Sequence, residues 1–216
     1  EATGDRVTLD GPQGRQEETC PDPLTRLAQL LGSYRAVHLP QLPRFAGGIV
    51  GYAGYDSVRY YEPLPNAPPD DRHLPDLLFN LYDTMVVFDH AYKTILVISH
   101  AHVEAEGVRG GYERACERIE AMVQRLTAPQ ATRVSRINRM GDPSLAFSSN
   151  FQQAEFEKAV EACKEYIRAG DIFQVVLSQR LLVKTAADPF DIYRALRVVN
   201  PSPFMFYLKS PRVILV

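Results

Sequence analysis

The run over residues 172–183 has two carboxamides, of which only Gln174 stands between apolar neighbours, and its chemistry is limited. Gln174 can donate and accept hydrogen bonds, but it has no pKa that would let it act as a general base. On a strand it would share a face with Val176, Ser178 and Arg180. A polar group in such surroundings needs a partner. Gln174 therefore either contacts a ligand or satisfies backbone groups.

A second set of polar side chains alternates along residues 100–106. His100, His102, Glu104 and Glu106 would all point the same way on a strand. A His-x-His pair with carboxylates can bind a metal ion. Alternating polar residues are also ordinary on a solvent-facing strand end, and we favour that interpretation because no other motif converges there.

The pattern of apolar residues predicts a helix before Gln174 and a strand that contains it. Phe156, Val160, Cys163 and Ile167 recur at helical intervals, with Asn150 as the expected N-cap. Gly170 fits the left-handed position that ends a helix. The β-branched run over residues 172–183 then predicts a strand.

The remaining chain predicts an α+β fold, with helices packed on largely antiparallel β-sheets. Helices are expected from Asp22-Pro23, over residues 112–126, and from Asp188-Pro189 to Asn200. Strand-like runs cover residues 77–88, 92–98 and 204–209, the first two forming a hairpin. Residues 127–149 look like a linker. Glycines at 47, 48, 51 and 54 indicate either close packing of sheets, which we favour, or a wall facing a ligand.

Composition excludes several functional classes. The chain has 216 residues, a net charge of -2 and a pI near 6.2, so we expect no nucleic-acid partner. Its three cysteines form no CxxC pair, which suits a cytoplasmic protein. No apolar run is long enough for a membrane span. A start without Met and an apolar end at residues 213–216 predict a piece of a longer protein.

Three motifs in order carry a resemblance to a known family. AGDIFQVVLSQR at 169–180, NPSPFMFYL at 200–208 and GGIVGYAGYDSVRYYEPLP at 47–65 resemble anthranilate synthase component I. The resemblance implies an N-terminal region over residues 1–140 and the beginning of a truncated chorismate-binding domain over 141–216.

The resemblance also implies an activity. In that family, chorismate and ammonia give anthranilate and pyruvate, Mg²⁺ holds carboxylate, and a glutamine amidotransferase subunit, component II, supplies the ammonia. Related enzymes that add water place lysine at the position of Gln174, so Gln174 would belong to an active-site wall that does not activate water. The Mg²⁺ ligands would lie outside this chain.

Feedback regulation is a further implication of the resemblance. Positions matching Pro203, Phe204 and Met205 help bind the inhibitor tryptophan in the family, where many members have Tyr in place of Phe204. A flat apolar segment with a thioether suits an indole ring. The other half of that site, a Leu-Glu-Ser run, would precede residue 1.

Two other functions remain open at this stage. Aminodeoxychorismate synthase component I, of the folate pathway, is the nearest rival enzyme, although QVVLSQR together with NPSPFM favours anthranilate synthase. A non-catalytic module that binds tryptophan or docks the amidotransferase is the second. The 216-residue chain on its own is expected to be catalytically inactive.

Overall fold

The computed structural model describes residues 1–129, 136–137, 140–141 and 144–216. It confirms the predicted α+β class, with four helices and several antiparallel strand pairs among the described residues. The chain forms two compact units. The first comprises Glu1–Thr132 and Leu208–Val213, and the second comprises Arg133–Tyr207 and Ile214–Val216. In the described part of the chain, no helix has both the length and the apolarity needed to cross a membrane.

The strands of the described residues are β1 (Ala2–Thr3), β2 (Arg6–Gly11), β3 (Gly14–Thr19), β4 (Gly48–Ala53), β5 (Leu77–Tyr82), β6 (Thr84–Asp89), β7 (Thr94–Ser99), β8 (Phe147–Ser149), β9 (Leu181–Val183), β10 (Leu208–Lys209) and β11 (Ile214–Leu215). The helices are α1 (Pro23–Gly32), α2 (Val103–Thr127), α3 (Gln153–Ala169) and α4 (Pro189–Val199), with a 3-10 helix at Tyr55–Tyr60.

A five-stranded antiparallel sheet in the order β3-β2-β1-β5-β4 forms the core of the first unit. Ala2, Val7 and Leu77 are buried together, and Leu24 of α1 packs against them. Asp22 caps α1 as predicted, because its carboxylate accepts a hydrogen bond from the Thr25 N–H at 3.0 Å. Leu24 thereby holds the start of α1 against the buried residues of the sheet.

Gly51 explains part of the glycine pattern in β4. It pairs with Phe79 of β5, and a Cβ on Gly51 would lie 1.9 Å from the Leu78 carbonyl oxygen. No side chain fits at that distance. The close approach is between neighbouring strands of one sheet, whereas we expected it between two sheets.

The predicted hairpin is confirmed, with a correction at its first strand. β6 pairs with β7 from Thr84↔Ser99 to Asp89↔Thr94. The run over 77–88 is two strands, because the chain leaves the five-stranded sheet at Asp83 and enters the hairpin. The helix predicted over 112–126 begins earlier, at Val103, and is interrupted at Gly107, whose φ is 71°.

Candidate functional site

The segment that carries Gln174 begins as the sequence predicts. α3 ends at Ala169, and Gly170 adopts the left-handed conformation with φ 83°. The Gly170 N–H donates to the Ile167 carbonyl oxygen at 3.1 Å, and the Asp171 N–H donates to that of Tyr166 at 3.1 Å. The helix end therefore fixes where the chain leaves toward Gln174.

The predicted strand over residues 172–183 is wrong for most of its length. Only Leu181–Val183 forms a strand, which pairs with the three residues of β8. Among the described residues, 172–180 have no strand neighbour, and a strand is stable only with one. Phe173 is consequently 92% exposed and Val176 80% exposed.

Gln174 itself is exposed, and its side chain has no hydrogen-bond partner among the described residues. It is not walled by apolar neighbours, contrary to the pattern we expected for a strand. Its role in an active site is untested by this geometry and stays a prediction. No hydrogen bond or ring contact of the described residues joins Gln174 to Pro203, Phe204 or Met205.

Asn150 does not cap α3 but forms hydrogen bonds with Arg180, at the end of this segment. Its side-chain oxygen accepts the Arg180 N–H at 2.7 Å, and its own N–H donates to the Arg180 carbonyl oxygen at 3.2 Å. The N-cap of α3 is Gln152, which forms a reciprocal capping box with Glu155. The predicted Asn150 cap is therefore wrong by two residues, and the residue instead orders the chain after Gln174.

The segment with Pro203, Phe204 and Met205 follows α4, which ends before Asn200 as predicted. Phe204 is 88% exposed, and its N–H donates to the Ser202 hydroxyl at 3.3 Å. Met205 is half-buried. The strand expected over 204–209 is limited to Leu208–Lys209, because residues 203–204 form a turn.

An aromatic cluster that we did not predict joins Tyr207, just after this turn, to α4. The Phe190 ring lies edge-on to that of Tyr207 at 5.3 Å, and the rings of Tyr193 and Tyr207 are 5.8 Å apart. The Arg197 guanidinium lies 5.9 Å from the Tyr193 ring centroid. The cluster fixes Tyr207 against α4, and the signal for it in the sequence was the i, i+3 spacing of Phe190 and Tyr193.

His100 and His102 are not on an exposed strand end. The His100 Nε2 lies 2.8 Å from the Ala46 carbonyl oxygen, to which a ring N–H donates. The His102 Nε2 lies 2.8 Å from Asp83 Oδ2. Glu104 and Glu106 are in α2, so the expected alternation on one strand face does not exist. A helix starting at Val103 changes the period from 2 to 3.6.

Arg118 of α2 belongs to the same group of contacts, which we call the polar cluster: Asp83, Ser99, His100, His102 and Arg118. Its Nε donates to the Ser99 hydroxyl at 2.9 Å, and a second guanidinium nitrogen donates to the His100 carbonyl oxygen at 2.6 Å. The cluster joins α2 to the end of β7. Its groups contact one another, so it is a structural network and not an open site.

Protonation of the Asp83 carboxylate at low pH should weaken this network. Burial raises the pKa of the Asp83 carboxyl, but hydrogen bonds from His102 and Thr84 outweigh burial, and the pKa lies below its ordinary value of 3.8. A depressed carboxyl pKa contributes stability above the unfolded-state pKa, and that stability is lost as the pH falls through the folded-state pKa. The loss is therefore expected below about pH 4.

We expect Asp83→Asn to lose less stability than the unmodified chain between pH 6 and pH 3. Urea unfolding midpoints at the two pH values measure this difference. Glu120→Gln, on the exposed face of α2, is the matched control and should behave like the unmodified chain. An equal loss in Asp83→Asn and the unmodified chain would show that Asp83 does not carry the effect.

Among residues 1–129, 136–137, 140–141 and 144–216, no three His, Cys, Asp or Glu side chains are arranged to hold a metal ion. The two histidines of the polar cluster make the hydrogen bonds to Ala46 and Asp83 given above. The described side chains do not fit a Mg²⁺ site.

Known proteins match this chain over nearly its whole length. The sequence profile of the family described as chorismate binding enzyme matches residues 4–216. Anthranilate synthase component 1 of Acetivibrio thermocellus is 44% identical over 202 residues, which are 91% of this chain and 40% of that protein. The chloroplastic anthranilate synthase alpha subunit 1 of Oryza sativa subsp. indica is 43% identical over 214 residues, which are 94% of this chain and 37% of that protein.

A solved structure gives the same result. The crystal structure of anthranilate synthase component I from Streptococcus pneumoniae TIGR4 matches with a TM-score of 0.70 and 30% sequence identity. The match covers 95% of this chain and 46% of that one. The chain thus spans less than half the length of these similar proteins.

Proposed function

We propose that this chain, which belongs to the chorismate-binding enzyme family, forms part of component I of an anthranilate synthase. The observation that carries the proposal is the 44% identity to the Acetivibrio thermocellus component 1, which extends over 91% of the chain. The motifs around Gln174 and Phe204 lie inside the span that the family profile matches.

The proposed reaction has two steps. Ammonia adds to chorismate with loss of water and gives aminodeoxyisochorismate, which then eliminates pyruvate and leaves anthranilate. Ammonia is itself a nucleophile and needs no protein base, whereas water does. A neutral amide at Gln174 is compatible with ammonia and not with the activation of water. We propose that Gln174 belongs to the wall of the active site in the longer polypeptide.

Magnesium is part of this proposal, although the described residues do not fit a site for it. Its chemistry would be to hold carboxylate. We place its ligands in the part of a longer polypeptide that these 216 residues do not include. No step of the mechanism is assigned to a residue of this chain through the metal.

Partners and regulation are proposed on the same basis. A glutamine amidotransferase subunit, component II, would supply ammonia in the cytoplasm. Tryptophan would bind at Pro203, Phe204 and Met205 as feedback inhibitor. Support for this comes from the exposed Phe204 ring and the half-buried Met205 thioether, which offer an indole an apolar surface.

The rival enzyme, aminodeoxychorismate synthase, is not favoured. The similar proteins reported above from Acetivibrio, rice and Streptococcus all carry the name anthranilate synthase. The two activities differ in chemistry, because only anthranilate synthase releases pyruvate. Product analysis therefore separates them.

A chimera tests the proposal. Residues 1–216 would replace the matching segment of the Acetivibrio thermocellus component 1, and the purified chimera would receive chorismate, Mg²⁺ and ammonium. We expect fluorescent anthranilate to form, and we expect none from the 216-residue chain alone. A chimera that is folded by circular dichroism but makes no anthranilate would contradict the proposal. Tryptophan added to the same assay tests the regulatory part.

A further inference from the structure

The part of the chain that contains Gln174 is attached at both ends to the same helix. We call residues 171–179 the Gln174 segment. At its start, the Asp171 N–H donates to a carbonyl oxygen in the last turn of α3 at 3.1 Å. Directly after its end, the Arg180 backbone is hydrogen-bonded to Asn150, which lies just before the N-cap of α3. The segment therefore begins at one end of α3 and finishes near the other.

The length of α3 sets how far the Gln174 segment has to reach. The helix has 17 residues, which span about 25 Å. The chain from Gly170 to Arg180 reaches about 35 Å when it is fully extended. The segment therefore uses most of its length to return along α3. A change at either end must displace the residues between the ends, including Gln174.

Asn150 fixes the far end of the segment through its side chain. Ser149 of β8 is opposite Leu181 of β9, so Asn150 and Arg180 are next in the ladder. The Asn150 N–H donates to the Arg180 carbonyl oxygen at 3.2 Å, as in a regular antiparallel pair. The Arg180 N–H, however, donates to Asn150 Oδ1 at 2.7 Å, where a regular pair would use the main-chain carbonyl. The side chain thus supplies the last ladder bond while the main chain turns toward α3.

Ser149 adds a second connection between the segment and the start of α3. Its hydroxyl oxygen accepts the Gln179 Nε2 hydrogen at 2.8 Å and the Phe151 N–H at 3.0 Å. The Phe151 ring lies edge-on to the Phe156 ring of α3 at 5.7 Å. These contacts hold the chain around Asn150 against the first turns of the helix, so the Asn150 side chain is presented from a rigid element.

We propose that Asn150 is a positioning residue for the reaction, because its side-chain amide fixes Arg180 and thereby sets where Gln174 lies in the active-site wall. This inference rests on the proposed function, which assigns Gln174 to that wall. A misplacement of about 1 Å can lower a rate about a hundredfold, even when the substituted residue is far from the chemistry. Asn150 acts through Gln174 and needs no contact with chorismate or ammonia.

A matched pair of substitutions tests the hydrogen bond. Asn150→Leu removes the acceptor oxygen at similar volume, whereas Asn150→Asp keeps it. In the chimera described above, we expect Asn150→Leu to speed amide hydrogen exchange at Arg180 about fivefold, the effect of one lost hydrogen bond. Asn150→Asp should leave this exchange rate nearly unchanged. Gln153→Leu, which removes an exposed carboxamide bonded to Glu157 within α3, is the control and should also leave it unchanged.

A double-mutant cycle of kcat tests whether Asn150 acts through Gln174. We expect Asn150→Leu and Gln174→Ala each to lower kcat for anthranilate formation about tenfold. With both substitutions present the losses should not multiply, because the position of Gln174 no longer matters once its amide is removed. A substitution that only destabilised the fold would lower kcat by the same factor in both backgrounds. Asn150→Asp should retain the kcat of the unmodified chimera.

Three results in an active chimera would overturn the inference and leave the proposed function standing. They are losses that multiply, an unchanged kcat in Asn150→Leu or in Gln174→Ala, and an Asn150→Asp variant as impaired as Asn150→Leu. A folded, unmodified chimera that makes no anthranilate would instead contradict the proposed function, and the inference that rests on it would fall as well.

Discussion

Gly51→Ala is expected to lower the free energy of unfolding by about 3 kcal/mol, the upper end of the range for overpacking a tight site. The added Cβ would lie 1.9 Å from the Leu78 carbonyl oxygen and 2.6 Å from the Phe79 Cα. Both are backbone atoms of β5, so no side-chain rotation relieves the contact. β4 must move away from β5 or lose its pairing.

The sign of this effect is informative because alanine normally suits a strand better than glycine does. Gly11→Ala, at the end of β2 in the same sheet, is the control, since a Cβ there has no atom within 4 Å. Urea unfolding of both variants gives the comparison. A Gly51→Ala variant as stable as Gly11→Ala would show that the two strands do not approach as closely as described.

Gln174→Lys in the chimera is expected to change the product of the reaction. Burial in a low-dielectric site can lower the pKa of a lysine enough for it to act as a general base. It would then activate water to compete with ammonia, and isochorismate or salicylate would appear. General-base catalysis contributes about a hundredfold or more to a rate, so the new product should be readily detected by chromatography.

A matched substitution separates this effect from added charge. Gln153→Lys, on the exposed first turn of α3, introduces the same charge on the same unit. It should leave anthranilate and pyruvate as the only products, with no isochorismate or salicylate. If Gln174→Lys lowers anthranilate output without any water-derived product, the position does not select the nucleophile.

The starts of α1 and α4 and the end of α3 were predictable because their signals are local. Asp22-Pro23 and Asp188-Pro189 begin α1 and α4, and Gly170 follows α3, each through contacts within one turn of the helix. The α+β class followed from the same elements. A cap depends on its own neighbours in sequence and needs no partner from elsewhere in the chain.

The strands were predictable only where a partner exists. Residues 94–99 form β7 because β6 pairs with all six of them. Residues 172–180 are also rich in β-branched and aromatic side chains but have no neighbouring strand among the described residues, so they are irregular and most of them are exposed. Propensity reports how well a side chain suits a sheet and carries no information about the pairing.

The prediction of the site was limited in the same way, because contacts between residues distant in sequence are not visible in a local pattern. The sequence located Gln174 and the Pro203–Met205 run through their motifs, and their roles remain predictions. The Asp83–His102 pair was not predictable, since it joins residues 19 apart across the hairpin. The alternating polar residues over 100–106 suggested one face of a strand. In the structure α2 begins at Val103, so the two histidines precede the helix and the two glutamates lie within it.

The product stoichiometry of the chimera tests the central claim most directly. Anthranilate by fluorescence and pyruvate by a coupled enzymatic assay would be measured in one reaction with chorismate, Mg²⁺ and ammonium. An anthranilate synthase component I must form the two in equal amounts. Consumption of chorismate with an amino product but without pyruvate would contradict the account and would indicate an aminodeoxychorismate synthase.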